Sequence, residues 1–124
     1  MYAIVLADWE DVRRARECAG ALARAAGVPE PEMVETAVME IANNCLEHRD
    51  GDGIAVLRIG CGRGKVILLA ENPCRSRPDW NTGKPVLVEG FRTGGYGMLL
   101  VTALASQLRA TWRSGRVRVR AEFA

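Results

Sequence analysis

The chain has 124 residues, 48% of them apolar and 26% charged. That is the balance of one globular domain able to bury its own core, and it excludes a disordered chain. Seventeen basic residues against fifteen acidic ones leave a net charge of +2, and although fifteen of the bases are Arg, that charge does not mark a nucleic-acid binder.

Met1–Leu6 (MYAIVL) is a short apolar run and reads as a strand. Asp8 can cap the helix that follows. In that helix Val12, Ala15, Cys18, Ala19, Leu22 and Ala25–Ala26 recur at steps of three and four, with Arg13, Arg14, Glu17 and Arg24 on the other side. Gly27 ends it, since glycine adopts the left-handed C-terminal conformation at least cost. Pro29-Glu30-Pro31-Glu32 opens a second helix, where proline and carboxylates suit the first turn. Its apolar stripe is Val34, Ala37, Val38, Ile41 and Cys45. It runs to about His48 and is closed by Asp50-Gly51-Asp52-Gly53.

Ile54–Gly60 and Lys65–Glu71 read as strands joined by Cys61-Gly62-Arg63-Gly64. Asn72 to Gly94 is long and irregular, with Pro73, Pro78, Pro85, Gly83 and Gly90 and one brief apolar run, Val86–Val88. A loop of that length inside one domain is usually functional or mobile. Gly94-Gly95-Tyr96-Gly97 then opens a third helix, Met98–Arg109. Ala110–Arg113 and Arg116–Phe123 form a hairpin turning at Ser114-Gly115. The order β-α-α-β-β-loop-α-β-β predicts an α/β (α+β) two-layer sandwich, a mostly antiparallel mixed sheet covered on one face by helices. In the last strand Arg116, Arg118 and Arg120 alternate with Val117, Val119 and Ala121. That pattern is either a basic binding stripe or the wet face of an antiparallel sheet.

No apolar stretch approaches the roughly 20 residues that span a bilayer. The N-terminal MYAIVLADWEDVRRAR turns acidic and then basic too early for a signal peptide. A cytoplasmic protein is expected, with no membrane or direct nucleic-acid partner. Cys18, Cys45, Cys61 and Cys74 are scattered with no C-x-x-C pair, so a zinc site would need three of them to converge on His48, the single histidine. The plainer reading makes Cys18 and Cys45 small apolar core residues.

Two clusters could carry chemistry. Glu40, Asn44 and His48 are each four apart and form one slanting row along the second helix, bordering its apolar stripe. A carboxylate, an amide oxygen and an imidazole so placed could position a metal-bound phosphate and a proton acceptor. The same spacing also describes an ordinary helix flank with a solvated Glu and Asn. The second cluster, Thr93-Gly94-Gly95-Tyr96-Gly97, stands immediately before a helix, where glycines let the backbone approach an anion and the first helical N–H groups point at it.

Together these residues resemble the GHKL (histidine kinase-like) ATPase superfamily and its Bergerat-type fold. Within it they resemble the small bacterial anti-sigma factor and switch-protein serine kinases, over nearly the whole chain. The N-box is similar to Glu40-x-x-x-Asn44-x-x-x-His48. By that resemblance Asn44 is the Mg²⁺ ligand, Glu40 the general base, and His48 the histidine common at the end of this helix. Gly94-Gly95-Tyr96-Gly97-Met98 is similar to the second glycine box, which wraps the phosphates of ATP. The segment from Pro73 to Thr93 stands where the family has its nucleotide lid. The family's first glycine box, Asp-x-Gly-x-Gly, is replaced here by Ala70-Glu71-Asn72-Pro73-Cys74-Arg75. Asn72 most simply replaces the adenine-binding Asp, with Glu71 the other candidate; an asparagine oxygen can still accept from the adenine amino group.

The resemblance implies an ATP- and Mg²⁺-dependent serine/threonine protein kinase. Its partner would be a STAS-domain anti-sigma factor antagonist, in a partner-switching module that controls a sigma factor or similar regulator. The alternative is a catalytically inert binding module on the same fold. The first helix and the Met1–Leu6 edge strand offer a surface on which two subunits could form a homodimer.

Overall fold

The structure, a computed structural model, describes residues 1–47, 54–74 and 97–124, the first four of the last stretch by their backbone alone. The elements run β1 (Tyr2–Leu6), α1 (Trp9–Ala26), α2 (Pro31–Glu47), β2 (Ala55–Gly62), β3 (Lys65–Pro73), α3 (Gly97–Leu104), β4 (Gln107–Arg113) and β5 (Arg116–Phe123).

Helix α1 starts where its sequence says it should. The Asp8 side chain accepts from the backbone N–H groups of Glu10 and Asp11, and Asp11 accepts in return from the Asp8 N–H, a reciprocal capping box. Gly27 closes the helix at φ 78°, a conformation that only glycine adopts cheaply. Val12, Ala15, Ala19 and Ala23 form its buried stripe. Mostly alanine, that stripe lets α2 approach closely. At Gly20 a Cβ would collide with the carboxylate of Glu35, which reaches across from α2 to pair with Arg24 at 3.0 Å.

The sheet order is β1-β2-β3-β5-β4, and each of its four pairings is antiparallel. The two-layer α+β architecture stands, and among the described residues the sheet has no parallel component. Alternation along each strand sends Leu57, Ile59, Val66, Leu68, Val119 and Ala121 to the covered side, all at most 4% exposed. Helices α1 and α2 pack on that face. Burying a leucine or isoleucine there contributes about 1.5–3 kcal/mol.

Several boundaries depart from the sequence reading; β3, for one, runs on through Asn72 and Pro73. The β2–β3 connection is tighter, a two-residue turn at Arg63-Gly64 with Gly64 at φ 67°. More substantially, the third helix stops at Leu104 instead of Arg109, and residues 107–109 belong to β4. Ser106 makes the switch: its backbone N–H (2.8 Å) and its hydroxyl (2.9 Å) both donate to the Glu122 carbonyl, tying the chain to β5. From there Leu108, Ala110 and Trp112 turn inward with a period of two, not 3.6.

Candidate active site

Helix α2 carries the acid–amide row. Asn44 lies seven residues after Ala37, almost two full turns, so it shares the face of Ala37 and Ile41 instead of bordering it. The structure accordingly buries Asn44 to 4% exposure, between Ile41 and Cys45. Glu40, one turn earlier, is half-buried. Asn44 is therefore not the solvated residue of an ordinary helix flank. Its Nδ2 is shut from water and finds no acceptor among the described residues. An amide left in that state costs about 1–3 kcal/mol. The apolar depth of this helix face also pushes the neighbouring Cys45 thiol up to about 12 by burial alone. His48 lies outside the described residues.

Helix α3 packs along α2, and Ala103 and Leu104 at its end border a groove shared with Val34 near the start of α2. Its eight residues rise about 1.5 Å each. The helix thus runs back against α2 and directs its Gly97 end toward the Asn44 end of its neighbour. Gly97 and Met98 open α3; Thr93, Gly94, Gly95 and Tyr96 lie outside the described residues, as does the Val86–Val88 run.

Strand β3 separates the two adenine candidates by pleat. Val66, Leu68, Ala70 and Asn72 face the helices, and Asn72 is 6% exposed. Its Nδ2 donates to the Pro73 carbonyl at 3.3 Å. Glu71 points to the opposite side of the sheet, where it pairs with Arg116 and, at 3.2 Å, with Arg118 of β5. Asn72 thus shares a layer with Asn44, and Glu71 does not.

Sequence reasoning does not reach the anchor behind Asn72. The Trp112 indole N–H donates to the Cys74 carbonyl (2.9 Å), and the Cys74 N–H donates to the Gly115 carbonyl (2.8 Å). Gly115 sits in the β4–β5 turn, where Ser114 (φ 53°) and Gly115 (φ 75°) both have the positive φ that suits a two-residue hairpin. The signal was available in the inward alternation of Leu108, Ala110 and Trp112, which places the indole beside the end of β3.

Residues 5–123 match the family model of the histidine kinase-like ATPase domain. The chain belongs to that family. No curated protein gives a match. A histidine kinase-like ATPase domain implies ATP binding, usually with Mg²⁺, and the buried donor set fits that pair. An amide oxygen is a hard ligand suited to Mg²⁺. An amide with an orphaned N–H, buried in a layer with a second amide, costs stability unless a polar acceptor meets it. Among the described residues of this histidine kinase-like domain no helix is long and apolar enough to cross a membrane.

Proposed function

We propose that this domain binds Mg·ATP and phosphorylates a serine or threonine of a STAS-domain antagonist, switching that partner's association in the control of a sigma factor or similar regulator. The observation that carries the reading is Asn44, buried to 4% exposure with its Nδ2 unpartnered among the described residues, one turn from half-buried Glu40. Mg²⁺, when bound, supplies neutralisation of phosphate charge. Asn44 holds it through the side-chain oxygen. The Gly94-Gly95-Tyr96-Gly97 backbone receives the phosphates, and Gly97 opens a helix whose first N–H groups favour an anion.

Glu40 accepts the proton of the attacking hydroxyl. Half-buried on α2, it meets less competition from water than a fully exposed carboxylate would. Asn72 accepts a hydrogen bond from the adenine amino group; Glu71 is occupied by Arg116 and Arg118 on the other face. The phosphorylated partner then leaves because a dianion is set against the docking surface.

Calorimetric titration with ATP and ADP, with and without Mg²⁺, tests the binding half. Asn44→Ala should lose the Mg²⁺-dependent part. Glu40→Gln should keep binding and lose transfer to the antagonist; equal loss of both would mean that Glu40 is structural. One observation favours the inert module: Asn72 spends its amide N–H on the adjacent Pro73 carbonyl, in a strand end with no glycine. Silence at millimolar nucleotide would establish that alternative.

A further inference from the structure

The sheet face turned away from the helices is charged out of proportion to the chain. Register and pleat put Arg58 of β2, Arg109 and Arg113 of β4, and Arg116, Arg118 and Arg120 of β5 on this one face, together with Lys65. Among the described residues only two carboxylates join them. Glu71 is shared by Arg116 and Arg118; Glu122 is shared by Lys65 (3.0 Å) and Arg120 (3.5 Å). A chain of net charge +2 thus gathers an excess of five positive charges on one surface.

The arrangement of these cations points outward. Arg109 stands directly opposite Arg120, and Arg113 directly opposite Arg116. Like charges at opposed positions weaken a sheet, and neither pair has a carboxylate between its members. Arg58, Arg109 and Arg113 have no ion pair among the described residues. One transverse row reads Arg58, Leu69, Arg120, Arg109 across four strands. At about 4.8 Å per strand it spans roughly 14 Å. A cavity of about 390 Å³ opens over this row, with Leu69 in its floor and Arg58, Arg109, Arg118, Arg120 and Thr111 around it. Beside it, on the β1–β3 half of the face, Val5, Val56 and Ile67 are half-buried or exposed.

We propose that this face is a docking surface for an acidic, partly apolar polypeptide segment of a second protein. Planar guanidinium groups in adjacent rows match carboxylates two by two. Leu69, Ile67 and Val56 supply an apolar patch alongside the cations, as a protein interface needs. Single-stranded nucleic acid fits less well, since no aromatic side chain stands on this face among the described residues to stack a base. A second copy fits less well too. Five of its helix-layer acids, Glu10, Asp11, Glu17, Glu32 and Glu35, are already paired with Arg13, Arg14 and Arg24. The surface is independent of the nucleotide site, being on the far side of the sheet from Asn44 and Asn72.

The test is fluorescence anisotropy with a labelled, end-blocked decapeptide of alternating glutamate and leucine. Arg58→Glu/Arg120→Glu is the variant, because both positions are exposed and neither is on an edge strand. Wild type should bind the peptide, more weakly as salt rises, and the double reversal should weaken binding at least tenfold while still melting cooperatively. Glu71→Gln, which releases Arg116 and Arg118, should tighten it. Three results would each overturn the proposal: no binding by wild type, equal binding by the double variant, or tighter capture of duplex DNA, oligo-dT or phosphatidylserine vesicles than of the peptide. Nucleotide titration of the same double variant separates this proposal from the kinase reading, because its ATP affinity should match wild type.

Discussion

Replacing Asn44 by alanine should make the ligand-free protein more stable. The amide of Asn44 is buried to 4% exposure and its Nδ2 has no partner among the described residues. Removing such a group returns about 1–3 kcal/mol. Alanine adds roughly 0.6 kcal/mol of helix propensity within α2. Against this stands the lost volume, about 25 Å³, which at ~24 cal/mol per Å³ costs about 0.6 kcal/mol. The two smaller contributions cancel, and the first decides the sign. At ~2.1 cal/mol/K per residue, unfolding all 124 residues carries about 0.26 kcal/mol/K, so Tm should rise by about 4–12 °C. Scanning calorimetry without ligand measures this directly. A second scan with Mg·ATP should raise the wild-type Tm further than the variant's, because stabilisation by a ligand follows its affinity for the folded state. A variant that melts several degrees below wild type would refute the reasoning. It would mean that the amide is bonded within the protein and is not held ready for a ligand.

Acid should act through Glu122. The hydrogen bond from Lys65 holds its carboxyl below the ordinary 4.5. The stabilisation is therefore complete above that value and is lost as pH falls through the lower folded value. Urea midpoints measured down the acid limb should show the loss, and Lys65→Met should flatten it. Alkylation followed by mass spectrometry should label exposed Cys61 first; Cys45, buried and pushed up to about 12, should react only on unfolding. Trp112→Phe removes the indole donor to the Cys74 carbonyl and should lower Tm by about 4 °C, the equivalent of ~1 kcal/mol; an unchanged Tm would deny the anchor a stabilising role.

The sequence was most legible where local chemistry and global fold agree. Asp8 and Gly27 mark both ends of α1, and Val117, Val119 and Ala121 declare the inner face of β5 because a two-residue period admits no other reading. Legibility failed where an apolar run suits either element. Met98 to Leu108 contains enough Leu, Val and Ala for a helix. Only the tertiary bonds of Ser106 to Glu122 show where the helix must yield to strand. The site was half legible. Spacing placed Glu40 and Asn44 in one row, but the depth of Asn44 appears only once α2 is packed into the fold. Asn72 was the first candidate and Glu71 the second, and the pleat of β3 sends them to opposite faces.

The insertion of β5 between β3 and β4 governs the order of assembly. The β4–β5 ribbon can zip locally around Ser114-Gly115 within microseconds, whereas its seam with β3 must first close a chain separation of more than forty residues. Asn72 enters its final environment only when Val117 arrives opposite it. The Asn72 amide is thus among the last parts to be set in place, and a mutation that slows docking of the ribbon would delay its placement without touching Asn72 itself.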